Sequence, residues 1–166
     1  MQVLSRNVNK PEEPPGACLS PVFEIVLQHL FGDSGFGTQI NATFVSGGDV
    51  DIDRDDTSRQ FILPGLGDSS NFSFFYEDSF VTARVALNTR GETVAGFGNY
   101  DQPLYVEERN QWDLSLAYNL LEDAVVFFEV QNLNDEPTRL YARNKEMLFL
   151  SQDHGPIHRL GFRYKF

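Results

Sequence analysis

Ile157-His158-Arg159-Leu160-Gly161-Phe162-Arg163-Tyr164-Lys165-Phe166 closes the chain, and its alternation decides the fold. Successive side chains of a strand point to opposite sides. Leu160, Phe162, Tyr164 and Phe166 therefore share one face, and Arg159, Gly161, Arg163 and Lys165 share the other. A bare aromatic at the end of a soluble domain gains little, because chain ends fray in water. At a membrane interface the same ring is favoured.

Working back from this ending, the same period of two recurs in six further segments. They run over about Val22–Phe31, Phe36–Val45, Ser70–Tyr76, Phe80–Arg90, Gln111–Leu120 and Ala124–Leu133. Most approach ten residues, the ~9–11 that a tilted strand needs to cross a bilayer, whereas soluble strands average ~5–6. The connections alternate in length. Gly32–Gly35, Glu77–Ser79 and Leu121–Asp123 are tight turns, while Ser46–Gly67, Gly91–Glu108 and Asn134–Pro156 are long and polar. Short turns at one end and long loops at the other are the asymmetry of outer-membrane barrels.

The two faces differ in charge. One carries aliphatic and aromatic residues, with Thr38, His29 and His158 as its polar members. The other carries Glu24, Arg84, Asp113, Glu129, Arg159 and Arg163 among amides and hydroxyls, which marks these six as lumen-facing candidates. An Arg or Lys on the lipid face near the midplane costs ~2–4 kcal/mol, whereas the lumen tolerates it. Glu129 and Arg163 lie on adjacent expected strands, placed either to pair or to line a solvated wall. A soluble β-sandwich remains the competing reading, because its apolar face would simply be its core.

Composition agrees with a β fold. The 166 residues include 15 Phe against 2 Met and 1 Trp, and aromatics favour pleated surfaces. A net charge of -11 argues against a nucleic-acid partner, which requires a basic face. The single cysteine, Cys18, offers no internal disulfide. No run of ~20 apolar residues exists, so a membrane span would have to be a closed sheet. Residues 1–20, with Lys10-Pro11-Glu12-Glu13-Pro14-Pro15-Gly16, read as an irregular leader without a signal peptide's apolar stretch. Residues 21–166 form the expected barrel segment.

Little in the chain promises catalysis. Asp49, Asp51, Asp53, Asp55 and Asp56 form the densest carboxylate cluster and the candidate external loop contacts. As a calcium loop starting at Asp49 it fails, because Arg54 and Gln60 stand where Gly and Glu are required. His29, His154 and His158 lack metal-ligand spacing. Gly65-Leu66-Gly67 lacks the third glycine and following helix of a dinucleotide site. No enzyme, metal or cofactor is expected.

Three internal segments join the ending in a resemblance. Phe61-Ile62-Leu63-Pro64-Gly65-Leu66-Gly67-Asp68-Ser69, then Tyr105-Val106 through Gln111-Trp112-Asp113-Leu114-Ser115, then Phe127-Phe128-Glu129-Val130-Gln131-Asn132-Leu133-Asn134-Asp135-Glu136-Pro137 follow one another in order. Together with the last ten residues they resemble the C-terminal part of TonB-dependent receptors. The resemblance covers about the last 145 residues and fails before Pro21. It implies an outer-membrane barrel of the 22-stranded, plugged-lumen class. It implies energised uptake of a scarce nutrient, such as a siderophore-iron complex, cobalamin or a saccharide. It also implies that Leu160, Phe162, Tyr164 and Phe166 form the signal read by the barrel-assembly machinery. The expected partners are outer-membrane lipid, that machinery, a small nutrient ligand, and TonB only through an N-terminal plug.

This chain departs from the family in showing no plug and only seven readable strands. The expectation is thus an all-β, antiparallel transmembrane β-barrel segment of about seven meandering strands, an incomplete barrel unable to transport alone. A passive or structural barrel that closes by oligomerisation is the alternative within the membrane.

Overall fold

The tight turns that interrupt the alternation become hairpin ends, and the chain folds as antiparallel β-structure throughout. The computed structural model describes residues 21–45, 64–99 and 102–166. The expected leader and the acidic run from Asp49 to Asp56 lie outside these residues. The strands are β1 (Val22–Leu30), β2 (Phe36–Val45), β3 (Ser69–Glu77), β4 (Val81–Arg90), β5 (Thr93–Phe97), β6 (Pro103–Val106), β7 (Arg109–Leu121), β8 (Ala124–Gln131), β9 (Thr138–Ala142), β10 (Leu148–Gln152) and β11 (Ile157–Tyr164).

Seven of them form one sheet in the order β1-β2-β3-β4-β7-β8-β11, every pair antiparallel. These are the seven expected strands. The sheet does not close on itself, so β1 and β11 each have one neighbour among the described residues. The last strand ends at Tyr164 rather than Phe166. Lys165 still donates to the Asp123 carbonyl at 2.9 Å, while Phe166 is fully exposed.

The hairpin ends are held by specific local chemistry. Gly32 (φ 58°) and Gly35 (φ 77°) take left-handed conformations between β1 and β2, where a side chain would be strained. A Cβ on Gly35 would also stand 2.6 Å from the Glu77 carbonyl oxygen. Between β3 and β4, Asp78 Oδ1 accepts from the Phe80 and Val81 amides at 2.7 Å each. The Tyr76 hydroxyl donates to Asp78 Oδ2. These bonds to its charged form, the tyrosine's first, hold the Asp78 carboxyl below the usual carboxylate range.

The register reveals a stagger. Following cross-strand partners from His29 gives Thr38, Phe74, Val85, Leu114, Val130 and His158. His29 lies next to the turn end of β1, whereas His158 lies next to the opposite end of β11. The slip is thus about one residue per strand, which at ~3.3 Å rise and ~4.8 Å spacing tilts the strands by roughly 35°.

Two of the three expected long connections contain further strands, which corrects their reading as irregular loops. β5, β6, β9 and β10 build a second antiparallel sheet in the order β10-β9-β6-β5. Each is four or five residues long, and turn-forming residues break the alternation around them. Tyr105 and Tyr141 are buried there, with stacked rings 5.3 Å apart. The seven-stranded sheet, in contrast, buries little beyond Ala124 and Val130 among its apolar residues.

Candidate functional site

Because cross-strand partners share a face, the register sorts every strand residue onto one of two surfaces. Phe23, Ile25, Leu27, Phe36, Ile40, Phe44, Phe72, Phe74, Val85, Leu87, Trp112, Leu114, Leu116, Phe128, Leu160 and Phe162 lie on one of them, and no paired position on that face is charged. This face is uncovered. Leu160 is 78% exposed and Phe162 62%, and Phe36, Phe74 and Leu116 are also exposed. Aromatic rings gather at both of its ends. Phe36 packs on Tyr76 at 4.7 Å and Tyr164 on Phe166 at 5.2 Å at the turn end, while Phe23 faces Phe44 at 6.5 Å at the other.

All six expected lumen residues lie on the opposite, polar face. Arg84, Ser115, Glu129 and Arg159 form a single row across four strands. Glu129 pairs with Arg159, its direct partner, at 3.8 Å. Arg163 faces Val125 instead, four residues along, so of the two readings for Glu129 and Arg163 the register excludes direct cross-strand partners and leaves both lining one wall. Glu24 shares a separate row with Thr43, Ser69, Arg90 and Arg109 near the far end.

Two phenylalanines break the polarity of this face, and both stand over a glycine. Phe75 is paired with Gly37 and Phe127 with Gly161. A Cβ at Gly37 would sit 2.4 Å from the Phe75 ring, and one at Gly161 would sit 2.1 Å from that of Phe127. The far end of each ring occupies the space the missing side chain leaves, which restores lost strand packing. Phe75 in turn carries the Arg84 guanidinium 5.6 Å above its ring.

Asp113 is the hub of the polar face. Its Oδ1 accepts from Gln111 Nε2 at 2.7 Å and from the Asn132 amide at 2.9 Å, and its Oδ2 from Asn88 Nδ2 at 2.7 Å. Asn71 extends the network by donating to Asn88. Two shallow depressions adjoin it. One, of about 170 Å³, is lined by Arg84, Asp113, Ser115 and Glu129. The other, of about 460 Å³, is lined by Phe127, Glu129, Arg159 and Arg163. Such a wall can bind polar or charged groups reversibly. Among the described residues no three His, Cys, Asp or Glu side chains gather as metal ligands.

The sequence singles out Asn132-Leu133-Asn134-Asp135 as a motif without revealing what it does. Asn132 (φ 59°) and Asp135 (φ 55°) are left-handed, and they end β8 abruptly. Asn132 is buried; its Oδ1 accepts from the Glu136 amide and its Nδ2 donates to the Glu136 carbonyl. The Asn134 side chain then acts as a surrogate peptide group. Its Oδ1 accepts from the Trp112 amide at 2.9 Å and its Nδ2 donates to the Asn110 carbonyl at 2.7 Å. Between them the Leu133 amide donates to the Trp112 carbonyl at 2.7 Å, and beyond the joint the Glu107 amide donates to the Arg139 carbonyl. The two sheets thus meet at a rim joint where the Asn132 and Asn134 side chains supplement a thinned backbone ladder. Beside it, the Asp153 carboxylate pushes the Asp135 carboxyl above its ordinary range.

Glu107 anchors Arg139 at 3.3 Å and Lys145 at 3.8 Å just beyond the joint. The described residues of the long connections Gly91–Glu108 and Asn134–Pro156 thus fall in or beside the second sheet. Comparison with protein-family models, with curated proteins and with solved structures found no match for the chain.

Proposed function

We propose that this chain is the C-terminal barrel segment of a TonB-dependent outer-membrane receptor, serving energised uptake of a small, scarce nutrient and not competent for transport alone. The observation that carries the reading is the uncovered apolar face, free of charge over seven tilted strands. Six inter-strand spacings of ~4.8 Å and a strand height of ~20–25 Å give it about 580–720 Å². The largest apolar patch of an ordinary soluble monomer reaches ~300–600 Å². A β-sandwich would have covered this face with a second layer, and no such layer exists among the described residues. The aromatic ends fit the interfacial girdles of a barrel, and the tilt fits the ~35–45° of membrane barrels.

The receptor family enters through the four sequence segments, and the nutrient class enters with the family. In this reading the polar wall faces the lumen. The second sheet stands outside the membrane, where it would form part of the ligand vestibule. Lipid, the assembly machinery and, through a plug, TonB would be the partners.

Heat-modifiable migration in detergent gels tests the barrel. The expected result is a faster, compact band in unheated samples of the polypeptide that includes this segment, lost on boiling. A chain fully soluble without detergent would overturn the membrane assignment. A coding sequence for a plug immediately upstream supports the receptor reading over a passive pore, and its absence would favour the pore.

A further inference from the structure

The chain carries a net charge of -11, yet two arginines oppose each other on the polar face at the rim. Arg90, the last residue of β4, is the direct cross-strand partner of Arg109, the first of β7. Directly opposed strand residues have Cα atoms ~4.5–5.5 Å apart and project to the same side, where like charges repel. The sequence holds 24 Asp and Glu, and a carboxylate at either position would have turned this repulsion into attraction.

The neighbouring carboxylates do not neutralise the pair. Glu107 precedes Arg109 by two residues, but its Oε2 meets Arg139 at 3.3 Å and its Oε1 meets Lys145 at 3.8 Å. Asp113 lies four residues along β7, ~13 Å away, and both of its oxygens already accept hydrogen bonds. Asp68 accepts from the Val45 amide, and Glu92 is engaged elsewhere. Glu24 shares the row but stands three strands from Arg90, ~14 Å away. Among the described residues neither guanidinium makes an ion pair or a hydrogen bond, with Glu108 and Asp68 included.

Two further features set this pair apart. The Arg109 Nε is buried without an acceptor, and a buried donor is seldom left so unless an ion, a water or a ligand completes it. The row also continues in donors. Ser69 is the other cross-strand partner of Arg90, and Thr43 is that of Ser69. Two hydroxyls and two guanidiniums thus follow one another across four strands in steps of ~4.8 Å. The other arginines of this face are placed differently: Arg159 is paired with Glu129, Arg84 lies over Phe75, and Arg163 faces Val125.

We propose that Arg90, Arg109 and Ser69 form a binding site for a doubly charged oxyanion, the phosphate monoester group of a small solute. A guanidinium presents a fork of parallel N–H donors to such a group, and the Ser69 hydroxyl adds one more. Two guanidiniums also match the charge of nearly two that a phosphate monoester carries at neutral pH. The bound group replaces repulsion between the arginines by attraction to a shared centre, and it gives Arg109 the acceptor it lacks. The site goes beyond the barrel reading, because both arginines share one face whether that face lines a lumen or meets open water.

Glycerol phosphate is the probe, titrated calorimetrically into the full chain in dodecyl maltoside micelles at constant ionic strength and about pH 8, where the phosphate is a dianion. It should bind roughly tenfold or more tightly than acetate, and glycerol should not bind. Arg90→Gln and Arg109→Gln should each weaken it roughly tenfold or more. Arg109→Lys, which keeps the charge and loses the fork, should weaken it less, and Arg163→Gln should leave it unchanged. Melting of the ligand-free chain separates binding from a structural role. Arg90→Gln relieves repulsion, so it should melt at or above the wild-type temperature while losing the stabilisation that glycerol phosphate gives. Micelles doped with phosphatidic acid offer the same group on a lipid and should not compete, because the polar face lies opposite the apolar one. No preference over acetate, undiminished binding by the glutamine variants, a lower melting temperature for ligand-free Arg90→Gln, or displacement by phosphatidic acid would overturn the proposal. Failure of the barrel reading shows separately, as a chain soluble without detergent, and the same titration then runs in buffer.

Discussion

Leu116→Arg places a guanidinium at the centre of the apolar face. Leu116 lies between Ala83 and Phe128 across the strands, four residues from Trp112 and four from Leu120 along β7. At ~3.3 Å per residue and a tilt of ~35°, it sits about 11 Å from either end of this band. An arginine there reaches neither interface without distorting the bilayer, and the expected penalty is ~2–4 kcal/mol. That corresponds to roughly a 30- to 700-fold shift in the folding equilibrium. Leu120→Arg, at the turn end, can extend its charge into the headgroups and should cost only ~0–1 kcal/mol. Ser115→Arg, on the polar face between Arg84 and Glu129, should change stability by about 0.5 kcal/mol or less. Urea titration in dilauroylphosphatidylcholine vesicles, followed by the single tryptophan, Trp112, measures all three. A gradient from Leu116 to Leu120 is the signature of lipid. Equal, large penalties at both positions would describe a dry protein core and refute the reasoning.

Gly161→Val should cost about 1–3 kcal/mol by driving the Phe127 ring from its place, and Phe127→Ala should recover much of that loss in a double-mutant cycle measured in the same vesicles. Asn134→Ala removes two bonds to the β7 backbone and should cost about 1–2 kcal/mol; hydrogen exchange should accelerate in β6 and β9 while β2 and β3 remain protected. Asp78 has its folded pKa depressed, so its contribution is present above the ordinary carboxylate range and is lost as pH falls through the folded value. Asp78→Asn should therefore flatten the acid limb of stability against pH. Asp135 is the opposite case: its raised pKa means a penalty that grows as pH rises through the carboxylate range. Asp135→Asn, which also suits the left-handed backbone, should stabilise the rim at neutral pH and lose that advantage in acid.

The seven long strands were legible because alternation sustained over eight or more residues suits a strand's period of two and no helix; β2 matches its expected bounds, Phe36–Val45. Face assignment was legible on the same ground, and Glu24, Arg84, Asp113, Glu129, Arg159 and Arg163 all sit on the polar side. What alternation cannot supply is register. It places Glu129 opposite some arginine, but only the pairing of β8 with β11 selects Arg159 over Arg163. Phe75 and Phe127 look misplaced in the sequence and make sense only once Gly37 and Gly161 are set beside them. The four short strands escaped notice because Gly96 (φ 148°), Pro103 and Arg143 (φ 60°) interrupt their pattern. One of their three pairings, β6 with β9 through Tyr105 and Tyr141, also joins segments far apart in the chain.

The rim joint has a consequence for how such a molecule can change over generations. In a continuous strand, inserting one residue turns every later side chain to the opposite face, so the sheet tolerates insertions badly. At Asn132–Asp135 the regular backbone ladder gives way to a single bond from the Leu133 amide to the Trp112 carbonyl, and the Asn134 side chain supplies the hydrogen bonds on either side of it. A residue gained or lost on the outer side is absorbed there. The outer part can thus vary in length and composition under selection while the inward and outward faces of the strands below stay unaltered.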